Sequence, residues 1–203
     1  MIAVVNYGLG NLHSVQKAVA FVGGDPQVTD DPQVILNADK IILPGVGAFA
    51  DGMRELDARG LTGVIKEAAL RSIPLLGICL GMQLLFDESE EKGTHAGLEL
   101  VPGCVVFFRQ KEIKVPQIGW NQVVPAKESP LTQGIQKGAY FYFNHGYYCC
   151  PQDEADVLLT TDYGLRYASA VQRGNVFGVQ FHPEKSQKCG LQLLKNFVEM
   201  GNG

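Results

Sequence analysis

Two stretches of the 203-residue sequence hold residue types that can do covalent chemistry. In Gly77-Ile78-Cys79-Leu80-Gly81 a cysteine stands between glycines two positions away on either side. This is the G-x-nucleophile-x-G pattern of a sharp strand-to-helix turn that pushes one side chain into the open, and small residues are needed where neighbouring backbone crowds it. Further along, His182-Pro183-Glu184 follows an apolar run. A thiol attacking an acyl carbon needs a base for its proton, and the base needs an acceptor to hold its tautomer. His182 and Glu184 can fill those two roles, while Pro183 stiffens the link and cannot continue a strand. Each stretch also has a plainer reading, as a buried cysteine in a core strand and as a polar histidine at a strand end. The two together favour nucleophilic acyl chemistry.

These residues need a frame that brings them together. Short apolar runs at 2–5, 27–29, 40–43 and 74–78 read as strands, the last delivering Cys79 to a helix over 80–86. Between them, Leu12, Val15, Val19 and Val22 share one helical face, Asp31-Pro32 is a capped helix start, and two helices over 49–59 and 61–71 are split by Gly60. Strands alternating with helices imply a parallel sheet covered on both faces, with ligands at its C-terminal edge. The segment 87–95 is polar and acidic and reads as a surface loop. Beyond 101 the pattern changes to strands at 104–108, 121–124, 139–148, 157–161, 167–171 and 176–181, with Arg173-Gly174-Asn175 as a hairpin turn. A helix over 186–200 closes the chain. The expected fold is α/β, with a mixed, mainly parallel central sheet flanked by helices.

Length and composition narrow the function classes. A chain of 203 residues is long enough for one sizeable core and short for two, and no linker or repeat divides it, so 1–203 reads as a single domain. A net charge of −4 without a basic stripe argues against a nucleic-acid binder. No apolar run reaches the roughly 20 residues of a membrane span, and the start shows no secretory leader. The cysteines, at 79, 104, 149, 150 and 189, are odd in number and irregularly spaced. That argues against a disulfide framework and a structural zinc site, and points to a reducing cytoplasm. Gly8 and Gly10 lack the third glycine of a dinucleotide fingerprint. No metal or cofactor is expected.

Gly77-Ile78-Cys79-Leu80-Gly81-Met82-Gln83 and Gln180-Phe181-His182-Pro183-Glu184 resemble the two signatures of the class I (triad) glutamine amidotransferases, and Leu43-Pro44-Gly45-Val46-Gly47 resembles their oxyanion strand. More narrowly, the chain is similar to the glutaminase subunits of imidazole glycerol phosphate synthases. The segments that say so are Asn6 to Leu12, Pro44 to Phe49 with Asp51-Gly52-Met53, Val115 to Asn121 and Phe181 to Ser186. The resemblance spans essentially the whole chain. It implies a flavodoxin-like fold, Cys79, His182 and Glu184 as the catalytic triad, and Val46 and Leu80 as oxyanion donors. Glycines on both sides of Val46 let its peptide plane reorient at little steric cost.

It further implies L-glutamine as substrate, bound by Gly47, Gln83, His145 and Gly146 and by one acidic residue of the 87–95 loop. Glu91 is the choice there, with Glu88 and Glu90 close by. The implied partner is a cyclase/synthase (β/α)₈ subunit in a heterodimer, met by a face that includes Asn11, Trp120, Tyr142 and Lys185. Trp120 can equally be a core residue. Gly146 stands where the family has Ser or Thr, and Asn144 where a non-polar residue is usual. Those departures leave open a paralogous glutaminase feeding another amination, such as surface-sugar synthesis. A non-catalytic binding subunit on the same fold is the remaining alternative.

Overall fold

A computed structural model describes residues 1–201. The first half runs β1 (Ile2–Val5), α1 (Leu12–Phe21), β2 (Pro26–Thr29), α2 (Pro32–Leu36), β3 (Lys40–Gly45), α3 (Phe49–Ala58), α4 (Leu61–Leu70), β4 (Leu75–Cys79) and α5 (Leu80–Leu84). The second half is strand-rich: β5 (Phe86–Ser89), β6 (His95–Ala96), β7 (Val101–Phe107), β8 (Gln117–Pro125), β9 (Ala139–His145), β10 (Tyr147–Pro151), β11 (Val157–Asp162), β12 (Arg166–Arg173) and β13 (Val176–Val179). The helix α6 (Gln187–Glu199) ends it, after a single turn at Pro183–Lys185.

The sheet order is β2-β1-β3-β4-β13-β12-β10-β7-β5-β6, with β11 pairing β12 and β8, and β8 pairing β9. From β2 to β13 every pairing is parallel. Beyond β13 the pairings are antiparallel, apart from β5 on β7. β1, β3, β4 and β13 are buried at every residue, as strands must be when helices cover both faces. On one face Ala3, Val5, Ile41 and Leu43 pack with Leu56 and Ile65 of α3 and α4. On the other, Ile2, Val4, Ile42 and Leu76 pack with Val15 and Val19 of α1 and Phe197 of α6. The Asp31 side chain accepts from the Gln33 N–H at 2.8 Å to open α2, and Gly60 at φ 67° separates α3 from α4.

This is the expected architecture, with local corrections. The segment read as a loop over 87–95 begins inside β5, whose Glu88 and Ser89 pair with Cys104 and Val105 and with the short β6. Its acidic composition hid an edge pairing that backbone groups alone can make. The run 139–148 is two strands, because Gly146 hands the chain from one neighbour to another: β9 pairs with β8, and β10 pairs with β7 and β12. β7 and β8 begin earlier than expected, at Val101 and Gln117, and α5 stops at Leu84.

Candidate active site

β4 ends in a turn that local sequence explains. Cys79 has φ 55° and ψ −109°, a conformation a residue with a β-carbon adopts only under strain. The flanking glycines are there for room. A β-carbon at Gly81 would overlap the Leu43 carbonyl oxygen, and one at Gly77 would lie 2.6 Å from the Gly81 oxygen. The turn fits only because α5 begins in direct contact with the backbone of β3.

β13 brings the base to the same place, since Val179 pairs with Ile78 and His182 follows three residues later. His182 Nδ1 lies 2.9 Å from Glu184 Oε1, with both side chains almost wholly buried. The ring shares its cavity with Cys79, whose charge bears on it. Burial works against a charged imidazole. Interaction with Cys79 and the hydrogen bond to Glu184, with the negative charge of both, outweigh it and push the His182 pKa up to about 10. The backbone around the ring is fixed by Ser186, whose hydroxyl donates to the His182 carbonyl at 2.6 Å and accepts from the Tyr142 N–H at 2.9 Å. The His182 N–H in turn donates to the Tyr142 carbonyl.

Cys79 and His182 lie in a cavity of about 320 Å³ that is also lined by Val46, Gly47, Leu80, Gln83, Glu91, Asn144, His145, Gly146, Tyr147 and Lys185. Gly45 pairs with Cys79 across β3 and β4, which sets Val46 beside the sulfur. Glu91 Oε2 accepts from the Phe49 N–H at 2.8 Å, at the start of α3. Glu90 is instead engaged with Arg109 and the Phe107 N–H, and neither it nor Glu88 lines the cavity. Both ring nitrogens of His145 meet protein groups: Nδ1 the Tyr147 carbonyl at 2.7 Å, Nε2 the Tyr167 hydroxyl at 3.3 Å. Burial lowers the His145 pKa to about 4, against the pull of the Tyr147 carbonyl and with the help of the neighbouring His182 charge, so the ring is neutral. Asn144 is exposed at the cavity rim, and its carbonyl lies 3.9 Å from the sulfur. A larger, more open groove of about 630 Å³, lined by Lys127, Glu128, Ser129 and Thr132 among others, holds no cysteine or histidine.

Three of the four expected interface residues gather beside His182. Trp120 is 46% exposed and meets Tyr142 edge to face at 6.2 Å, and Lys185 Nζ stands 5.8 Å from the Tyr142 ring centre. Asn11 lies apart from the cavity lining, where it caps α1 by accepting from the Ser14 N–H. The neighbouring Gly10 packs against Pro44 at the end of β3.

Three polar residues at the site had not been singled out by the sequence: Ser186, Gln180 and Tyr7. Gln180 is wholly buried, with its Nε2 3.9 Å from the Cys79 sulfur. A glutamine inside the apolar run from Val176 to Phe181 was the available signal, since an amide that is fully buried needs partners. The Tyr7 hydroxyl is buried with no hydrogen-bond partner among the described residues, and a β-carbon at Gly45 would overlap it. Burial, and secondarily the charge on Cys79, raise the Tyr7 pKa well above the usual phenol range. Among the described residues no group of three His, Cys, Asp or Glu side chains is placed to hold a metal ion.

Comparison with known proteins bears on what this arrangement is for. The profile of the family described as "Glutamine amidotransferase class-I" matches residues 3–200. The "Imidazole glycerol phosphate synthase subunit HisH" of Moorella thermoacetica is 55% identical over 98% of this chain and 94% of its own length. The protein of the same name from Syntrophotalea carbinolica is 50% identical over 98% of this chain and 100% of its own. Among solved structures, PurLQS from Thermotoga maritima superposes with a TM-score of 0.76 at 21% identity, covering 97% of this chain and 96% of that one. A further glutamine amidotransferase superposes with a TM-score of 0.77 at 16% identity, covering 98% of each chain. At such identities these two speak for the fold alone.

Proposed function

The chain belongs to the class I glutamine amidotransferases, and from that premise we propose that it hydrolyses L-glutamine to glutamate and ammonia as the glutaminase subunit of an imidazole glycerol phosphate synthase. The observation that carries the chemistry is that Cys79 and His182 line one cavity, with Glu184 hydrogen-bonded to the imidazole. The relatives named above, similar over nearly their whole length, carry the assignment to histidine biosynthesis.

At neutral pH the proton from sulfur already rests on His182, and the Cys79 thiolate attacks the side-chain amide carbon of glutamine. Negative charge then develops on the amide oxygen. Val46 and Leu80 line the cavity with the sulfur, and their N–H groups are the donors we assign to that oxygen, each worth about 3 kcal/mol in such sites. The imidazolium, held by Glu184, protonates the departing ammonia and leaves a glutamyl thioester on Cys79. His182 next takes a proton from water, which attacks the thioester and frees glutamate. Gly47, Gln83, Glu91, His145 and Gly146 form the walls against which the substrate's amino acid end rests.

Ammonia is lost to solvent unless a second active site takes it directly. The partner in this reading is a (β/α)₈ cyclase/synthase subunit in a heterodimer, docked over Trp120, Tyr142 and Lys185, where an exposed aromatic surface adjoins His182. That subunit uses the ammonia to form imidazole glycerol phosphate and an aminoimidazole carboxamide ribotide. Among the described residues no helix is long and apolar enough to cross a membrane.

The test is glutamate release by wild type and Cys79→Ala, each with and without the synthase subunit. Wild type with its partner should turn over glutamine at least about a thousandfold faster than the variant, the scale on which loss of a nucleophile is felt. Equal rates would overturn the reading.

A further inference from the structure

A chain of buried amides leads from a backbone carbonyl to the reacting sulfur, and its polarity is fixed at one end. The Tyr147 carbonyl can only accept, so the Gln83 side chain must turn its NH₂ toward it, at 3.2 Å. The same NH₂ lies 3.1 Å from the Gln180 side chain, which therefore faces Gln83 with its oxygen. What Gln180 turns toward Cys79 is then its own NH₂, 3.9 Å from the sulfur. A peptide N–H to the Ser169 carbonyl at 2.9 Å holds the Gln180 backbone. Gln83 is 5% exposed and Gln180 fully buried, and neither amide has an unpartnered buried atom among the described residues. Reversing Gln83 would set its oxygen against the Tyr147 carbonyl, and reversing Gln180 would set one NH₂ against the other.

We propose that Gln180 is a further member of the catalytic machinery, a fixed donor to the Cys79 sulfur that holds it as thiolate once its proton has passed to His182. No bond to Gln180 is made or broken. The proton leaving sulfur goes to the imidazole, and the amide contributes a hydrogen bond that strengthens as charge collects on sulfur. Because Gln83 sets the direction of Gln180, the substrate-facing wall and the nucleophile share one strut. This deepens the glutaminase reading and rests on it only for turnover; the state of the sulfur is measured without glutamine.

The experiment is alkylation of the intact protein by iodoacetamide at pH 7, with modification of Cys79 followed by peptide mass and Cys79→Ala as blank. Gln180→Met removes the donor and keeps the bulk. Gln180→Glu keeps the shape and the acceptor for Gln83 but sets an oxygen against the sulfur. Circular dichroism and melting establish that each variant folds. The expected result is alkylation of Cys79 about tenfold slower in Gln180→Met and at least as slow in Gln180→Glu, the scale of one charge-assisted hydrogen bond. With saturating glutamine and partner, kcat should fall by a similar factor. A folded variant of either kind that alkylates at the wild-type rate overturns the proposal. So does failure of both variants to fold, which would make the strut structural. A wild type that alkylates readily at Cys79 but releases no glutamate would sink the functional reading and leave this one standing.

Discussion

The two walls of the cavity are built from different materials. On the nucleophile's side, the end of β3 and the start of α5 bring Val46, Gly47 and Leu80 around Cys79, where backbone lies in close contact with backbone. On the opposite side, β9, β10 and the segment after β13 present side chains held by others, with His182 on Glu184, Gln180 on Gln83 of α5, and His145 on Tyr167 of β12. The difference teaches how each wall fails. A backbone wall is damaged by adding atoms, because its shape depends on close approach. A side-chain wall is damaged by removing or changing them, because each group orients the next.

The largest effect should come from adding one methyl group to the backbone wall. Gly81→Ala would drive a β-carbon into the Leu43 carbonyl, which belongs to a buried strand and cannot give way. The variant should fail to fold or lose more than about 4 kcal/mol in denaturant titration. A near-normal midpoint would show that the elbow is not limited by contact.

Next is Glu184→Gln, which changes one atom on the other wall. It removes the carboxylate that helps hold His182 protonated, so kcat should fall by about a hundredfold or more. The pH profile carries the sign. His182 in the wild type keeps its proton until about pH 10, so activity that needs an imidazolium to protonate ammonia should hold up to that region and then fall. Without the Glu184 charge the imidazole pKa drops, and the alkaline limb should move to lower pH. An unmoved limb would mean that Glu184 does not set the charge on His182.

The smallest effect should be Tyr7→Phe, behind the backbone wall. Removing a buried hydroxyl that has no partner among the described residues should leave melting unchanged or raise stability by up to about 1 kcal/mol. A clear loss would mean that the hydroxyl has a partner when the protein works.

The same contrast explains what could be read ahead of the coordinates. The backbone wall is local: Pro44 to Gly47 and Gly77 to Gly81 carry their geometry in glycine spacing, so β3, β4 and the elbow were legible. Cys79, His182 and the acid beside it were legible because residue type and order imply their chemistry. The side-chain wall depends on which strands meet, and that is settled by register. Nothing near Gly146 announced that the chain changes neighbours there, and nothing near Glu88 announced a pairing with Cys104. Gln180 was visible as a polar residue in an apolar run, but its contact with sulfur exists only because β13 lies against β4.

The torsion at Cys79 also bears on how such a protein could drift. A side chain held at φ 55° and ψ −109° burdens the fold with a strain on the order of 1–3 kcal/mol, and glycine at that position would be free of it. A lineage that kept the scaffold merely as a docking module would gain by losing the β-carbon. A cysteine in so uncomfortable a place is accounted for by the work that the proposed reaction gives its sulfur.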